Sequence, residues 1–305
     1  VGWTPASDIV SAFEPVAPPT QKALFGFGTT GSYTAVTNLV NSSGVVGSDV
    51  TGVGTARHGL AAANFGGDKA IFGYGYSSAA RVATTNLVSN EGVVASDTSG
   101  VGSVRYHLAA ATFGGDKAIF GYGNTGSMVS ITNLVSSSGV VATDTTGVGT
   151  ARNGLGAAGY GTDKAIFGYG NGGSDVSITN LVSNSGVVAT DVSGVGTARR
   201  FLAAASYGGD KAIFGYGIGG SSSSLTNLVN NSGVVASDVS GVGTARAELA
   251  ATSYGGDKAI FGYGVTGSNV SMTNLVNNSG VVAADVDGVG TARNTLAAAG
   301  YSFSA

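Results

Sequence analysis

A unit of 47 residues recurs along this chain. The tetrapeptide Thr-Asn-Leu-Val places Asn38, Asn86, Asn133, Asn180, Asn227 and Asn274 at spacings of 48, 47, 47, 47 and 47. A fixed period of this size marks an architecture in which one supersecondary unit stacks on its own copies. In one copy, Leu249-Ala250-Ala251 leads to Tyr254-Gly255-Gly256-Asp257-Lys258 and then to Ala259-Ile260-Phe261-Gly262-Tyr263-Gly264. A Ser-rich gap, Thr273-Asn274-Leu275-Val276, Asn277-Asn278-Ser279-Gly280 and Val281-Val282-Ala283 complete it. Short runs rich in Val, Ile, Phe and Tyr, closed by Gly, Asn, Asp or Ser, read as strands and turns. Four short strands in this length match one propeller blade. Solenoid coils and leucine-rich repeats are shorter, and helical repeats need apolar residues at 3.6 spacing. The expectation is an all-β chain: a six-bladed β-propeller with four antiparallel strands per blade.

The ends of the repeat array suggest how the ring closes. The first copy begins in mid-unit at Gln21-Lys22-Ala23-Leu24-Phe25-Gly26, and the last stops after Arg293-Asn294-Thr295-Leu296-Ala297-Ala298-Ala299. Fitting that C-terminal strand into the first blade would leave no open edge between the ends. Residues 21–305 are therefore expected to form one domain. Residues 1–20 hold all four prolines, Pro5, Pro15, Pro18 and Pro19, and the one tryptophan, Trp3. They read as an extended arm or linker able to attach the domain to other subunits.

The order of Arg, a small apolar strand, a Gly-Gly turn, a strand ending in a glycine pair, and two further strands resembles the kelch repeat of β-propellers over residues 21 to 305. Here the glycine pair is split as Gly-Tyr-Gly, and Leu-Val and Val-Val stand where kelch repeats carry Tyr and Trp. The resemblance implies the strand order of a propeller blade. The near-identical Asp-Lys-Ala-Ile-Phe-Gly-Tyr-Gly segments are also similar to repeats in predicted proteins of marine bacteriophages, which implies a virion or cell-surface setting.

Composition excludes several function classes. Only 10% of the 305 residues are charged, against roughly 25% in typical soluble proteins, so Ser, Thr, Asn and backbone must supply most of the solubility. A net charge of −3 does not suit a phosphate-tracking surface, so nucleic acid is not an expected partner. There is no cysteine, which removes disulfides, thiolate metal sites and a Cys-linked copper-radical site. No run approaches the ~18 apolar residues of a membrane-spanning helix, so membrane insertion is not expected. No basic, apolar leader precedes Val1 in this sequence, so any such signal is expected to be absent or already removed.

Most charges obey the repeat. Arg57, Arg105, Arg152, Arg199, Arg246 and Arg293 form one set, and Asp49, Asp97, Asp144, Asp191, Asp238 and Asp285 another. Lys22 and its five equivalents, with Asp68 and its four, bring the periodic charges to 23 of 31. Catalysis needs different groups in different roles around one reacting atom, which a symmetric ring does not provide. The Arg and Asp sets are read as structural: each Arg caps carbonyls or pairs with an Asp in the Asp-x-x-Gly-Val-Gly turn, tying one blade to the next. Asp-x-x-Gly lacks the dense oxygen spacing of calcium loops, and neither a metal nor another cofactor is expected.

The copies differ in two places. Directly after the repeated Arg stand His58-Gly59, Tyr106-His107, Asn153-Gly154, Arg200-Phe201, Ala247-Glu248 and Asn294-Thr295, and a second variable stretch follows Gly-Tyr-Gly. That stretch contributes Tyr76, Arg81, Asn124, Asp175 and Asn269. With antiparallel strands both stretches fall on one face, opposite the constant Gly-Gly-Asp-Lys turns, and loops on a rigid scaffold are where binding residues concentrate. Aromatic rings for stacking beside Asn, Arg, Glu and His for directional hydrogen bonds suit sugars. The expected function is therefore a non-enzymatic virion or cell-surface adhesion module that recognises glycans on an extracellular receptor. A purely structural tile, decoration or filament subunit is the alternative. A glycosidase-like enzyme comes third, since a sialidase-like site would need three Arg converging on a carboxylate with a Tyr nucleophile and an acid.

Overall fold

The computed structural model describes residues 20–305, which are all-β, with no helix among them. The expected arm at 1–20, with Trp3 and its prolines, lies outside the described residues apart from Thr20. Six antiparallel sheets follow one another, each with three continuous strands. The second sheet is representative: Ala61–Phe65 pairs with Lys69–Gly73, which pairs with Thr85–Val88. Its equivalents begin at Ala109, Gly156, Ala203 and Ala250. The remaining sheet is assembled from both ends of the chain. Its middle strand Lys22–Gly26 pairs with Thr37–Val40 on one side and with the C-terminal Ala297–Tyr301 on the other, in the register Lys22 to Tyr301.

Burial explains the strand sequences. The middle strand reads Lys-Ala-Ile-Phe-Gly with its last four residues buried, because both of its faces are covered. The first strand alternates buried and half-buried positions, which places Ala61, Ala63 and Phe65 in the core and leaves Ala62 on the other face. Each hydrophobic cluster joins residues of two neighbouring sheets. One of them joins Phe25, Val40 and Ala298 to Tyr254, Ile260 and Tyr263, so the last sheet packs on the first. The first strands adjoin one another in sheet order, and Ala297–Tyr301 lies beside both Ala250–Tyr254 and Ala61–Phe65.

The contact between sheets explains one invariant glycine. A Cβ on Gly73 would come within 2.6 Å of Phe120 Cζ in the next sheet, and the same Gly–Phe approach recurs in every sheet, Gly262 meeting Phe25. The residue after this glycine, Tyr74 or its equivalent, takes a φ of 63–65° in all six sheets. That conformation is costly for a bulky side chain. It is held because the ring packs against the next sheet's Phe, and in the five sheets that carry Tyr the hydroxyl also donates to a backbone carbonyl, as from Tyr74 Oη to Val101 O at 3.0 Å; the first sheet has Phe27 there, with the ring contact but no hydroxyl bond.

The fourth strand differs from expectation. Instead of a continuous ladder, the outer segment joins the third strand through two single bridges, Val46 to Val40 and Val50 to Thr37, and the pattern recurs in every sheet. Four steps on one side oppose three on the other, so one extra residue bulges the outer segment and breaks the ladder. Side chains replace the missing backbone pairing. The amide of Asn86 donates to Ala95 O at 3.0 Å and to Asp97 Oδ1 at 2.8 Å.

Candidate functional site

The repeated arginines are wholly buried and structural in their contacts. Arg57 donates from Nε to Tyr74 O at 2.8 Å, from Nη1 to Thr55 O at 3.1 Å and from Nη2 to Asn86 Oδ1 at 2.7 Å. Its guanidinium carbon lies 4.3 Å from the centre of the Phe27 ring in the preceding sheet. Arg105, Arg152, Arg199, Arg246 and Arg293 repeat the stacking on Tyr74, Tyr122, Tyr169, Tyr216 and Tyr263 at 4.1–4.4 Å. The expected Arg–Asp pairing is long, at 3.8–3.9 Å for Arg57 to Asp97 and its four equivalents through Arg246 to Asp285. The short route runs through Asn.

The aspartates hold the segment that enters each sheet. Asp97 accepts from Thr55 N and Oγ1, and Asp144, Asp191, Asp238, Asp285 and Asp49 accept from Ser103, Thr150, Thr197, Thr244 and Thr291 in the same way. Burial pushes each of these carboxyls up, but the donated hydroxyl, amide and backbone N–H bonds together outweigh it. All six lie below the usual 3.8.

On the variable face the second residue of each post-Arg pair forms a ring. Gly59, His107, Gly154, Phe201, Glu248 and Thr295 all take φ between 48° and 61°. Each donates its N–H to the carbonyl of the equivalent residue before it, from His107 to Gly59, Gly154 to His107, Phe201 to Gly154, Glu248 to Phe201, Thr295 to Glu248 and Gly59 to Thr295, at 2.7–2.9 Å. This closed circuit of six bonds, backed by Leu60, Leu108, Leu155, Leu202, Leu249 and Leu296, encloses a cavity of 70 Å³.

Beside the ring the rings of six side chains run in contact. Tyr33 stacks on His58 with centroids 4.8 Å apart, and Tyr76 meets Tyr106 at 5.6 Å. Tyr106 meets His107 at 4.4 Å, and His107 meets Phe201 at 4.9 Å. Arg81 lies over Tyr106 at 5.4 Å and Tyr76 at 6.0 Å. The structure thus brings together His58, Tyr76, Arg81, Tyr106, His107 and Phe201. Burial draws His107 down to about 4, with the nearby His58 adding to the effect, and burial also lowers His58. Glu248 is pushed up by burial.

Other variable residues serve their own loops. Arg200 Nη1 donates to Asp175 Oδ1 at 2.7 Å, and Asn171 Nδ2 donates to the same oxygen at 2.9 Å. Asn124 accepts from Gly126 N at 2.8 Å, and Asn294 accepts from Thr295 Oγ1 at 3.3 Å. Asn269 donates to Thr29 O at 3.2 Å across the seam between the last and first sheets. Asn153 pairs through its backbone with Asn171. Arg200 also lies over the Phe201 ring at 5.7 Å and so touches the edge of the aromatic cluster, whereas Asn124, Asn153, Asp175, Asn269 and Asn294 make no described ring contact with it, although all lie in the same set of loops.

Two features escaped the sequence reading. Tyr33 belongs to a variable stretch but stands alone there, and its partner His58 is in another copy. Away from the aromatic cluster, Asn64, Thr112, Ser206, Ser253 and Thr20 line a cavity of 320 Å³ beside the turns at Gly67, Gly115, Gly209 and Gly256, on the face read as constant. The signal was variation at the fourth position of the first strand, where Asn64, Thr112, Gly159, Ser206, Ser253 and Gly300 replace one another. Among the described residues, no three of His, Asp or Glu gather closely enough to hold a metal ion. No protein-family model matches this chain, and no curated protein is similar to it.

Proposed function

We propose that the chain is a six-bladed, kelch-like propeller that binds glycans on its variable face as an adhesion module of a virion or cell surface. The ring geometry is supported by the pairing of the C-terminal strand with the first middle strand, and by clusters that join every sheet to the next. The observation that carries the binding reading is the run of half-buried rings from Tyr33 to Phe201, concentrated on one side of an otherwise repetitive face. Packing alone requires no such run, since the equivalent positions elsewhere hold Asn153, Ala247 and Asn294. Aromatic faces flanked by hydrogen-bonding groups are the surfaces on which sugar rings stack. The periodic Arg set and the Asp set that accepts from the strand entries are engaged in structural contacts, which favours binding over catalysis. Binding of the purified chain to an array of bacterial and algal glycans tests this reading. Loss of the signal in a Tyr76→Ala, Tyr106→Ala double variant is the expected result, and a folded wild type that binds nothing would overturn it.

A second reading rests on a separate observation. Val45, Val93, Val140, Val187, Val234 and Val281 are each 61–66% exposed, on outer segments joined to their sheets through isolated bridges. Six equivalent apolar edges suit a tile that self-associates. Concentration-dependent sedimentation of the isolated chain, abolished by Val→Lys changes at these positions, would favour that reading.

A further inference from the structure

We propose that Arg81, with Tyr33, His58, Tyr76 and Tyr106, forms a subsite for a carboxylate-bearing saccharide; this rests on the glycan-binding reading above. One interval departs from the 47-residue spacing: 48 residues separate Asn38 from Asn86. Loops in the other copies bridge across four residues, as from Thr29 to Tyr33, Asn124 to Met128 and Asn171 to Asp175, whereas here the bridge runs from Tyr76 to Arg81 across five. The extra residue is absorbed in a turn of its own. Ser77 N donates to Ala80 O at 2.9 Å, Ser77 Oγ donates to the same oxygen at 3.1 Å, and Ser77 is buried. Arg57–His58 pairs with Tyr76–Ser77, so the loop is fastened to the entry of the first strand.

This loop sets an arginine of unusual status over the rings. Among the described residues, Arg57, Arg105, Arg152, Arg199 and Arg246 each have an aspartate within 4 Å, and Arg200 has Asp175. Arg293 interacts with the charge of Asp49. Among the described residues, Arg81 alone of the arginines has no carboxylate partner; its described contacts are the rings of Tyr76 and Tyr106, and its Nε is buried with no described hydrogen-bond partner. A guanidinium already oriented by stacking, with a donor unused, is matched by a carboxylate, which takes two parallel N–H···O bonds. Tyr33, His58, Tyr76 and Tyr106 add the apolar faces that a pyranose ring packs against. No described acid faces Arg81 from within the cluster; Asp175 is engaged by Arg200.

The test compares an oligogalacturonate, an oligomannuronate and sialyllactose with the carboxyl-reduced form of each, by calorimetry on the full chain. The expected result is that wild type prefers at least one acid over its reduced form by about tenfold or more. Arg81→Gln abolishes that preference while leaving weak binding to both, and Tyr106→Ala loses both. If the reduced form binds as well as the acid, or if Arg81→Gln keeps the preference, the acidic subsite is overturned while glycan binding stands. If a folded wild type binds neither these probes nor any glycan on the array, both readings fall. If it binds only neutral glycans, the acidic subsite alone falls.

Discussion

At the scale of single residues, the chain repeats one polar assembly: Arg on the ring of the previous sheet, Asn at its centre, Asp closing the entry of the strand. Arg199 shows what removal would cost. It donates to Tyr216 O, Thr197 O and Asn227 Oδ1 from a fully buried position and stacks on Tyr169 at 4.4 Å. Arg199→Met would fill much of the volume but leave those acceptors unsatisfied, so it should destabilise the fold by about 3–5 kcal/mol, read from the denaturant midpoint. Arg199→Lys should rescue little, since an ammonium cannot reproduce the planar fork. Protonation gives a second prediction. His107 titrates at about 4 in the fold and near 6.5 when unfolded, so its contribution is complete above pH 6.5 and is lost as pH falls toward 4. The six aspartates lie below 3.8, so their contribution is present above that value and is lost as pH falls through their folded values. Stability measured against pH should therefore fall in two stages; His58, also lowered by burial, adds to the first, so His107→Phe should shrink the first stage without removing it and leave the second unchanged. The Arg and Asp sets were legible as periodic charge, but Asn86 and its equivalents were not legible as the hub. In sequence they are one polar residue inside a strand, and only the bulge reveals what they bind.

At the scale of elements, the turn between the first and second strands carries a built-in comparison. Gly67, Gly115, Gly209 and Gly256 occupy its second position at φ of 80–81°, and in the fourth sheet Thr162 takes the same role at φ 70°. A β-branched residue in the left-handed region costs about 1–2 kcal/mol, from which the larger entropy loss of Gly subtracts about 0.5–1 kcal/mol. Thr162→Gly should therefore raise stability by roughly 0.5–1 kcal/mol. A higher melting temperature with unchanged circular dichroism is the expected result, and a lower one would show that the threonine side chain makes a compensating contact. The first three strands of every sheet were legible because apolar runs and Gly turns mark their limits. The outer segment was read as a fourth full strand because Val-Val-Ala looks like one. Its extra residue is invisible until register is counted against Thr-Asn-Leu-Val.

At the scale of the molecule, the two ends of the chain are joined in one sheet. Gln21 N donates to Ser302 O at 2.8 Å, and Ser302 N donates to Asp68 O at 2.8 Å, which links the seam to the second sheet. The six-bond circuit through Gly59, His107, Gly154, Phe201, Glu248 and Thr295 also needs the C-terminal segment, because Thr295 is one of its members. The seam leaves more unpaired than any other copy of the assembly: among the described residues Arg293 Nη2 and Asn38 Oδ1, whose counterparts bond at 2.6–2.7 Å elsewhere, are buried without partners, against Arg105 Nε alone in the third sheet and none in the rest. It is therefore the expected site of first opening, and a chain ending at Arg293 tests how far opening spreads. That truncation removes Ala297–Tyr301 from the edge of Lys22–Gly26, uncovers Leu24 and Phe25, and breaks the circuit at two bonds. If closure ties all six sheets together, the truncated chain should lose native structure as a whole or aggregate through the bare edge. If the sheets behave as a row of neighbours, amide exchange should rise only in the first, second and last sheets while those opposite the seam keep their protection. Amide exchange by mass spectrometry separates the two outcomes sheet by sheet, and the shared clusters across every junction lead us to expect the first.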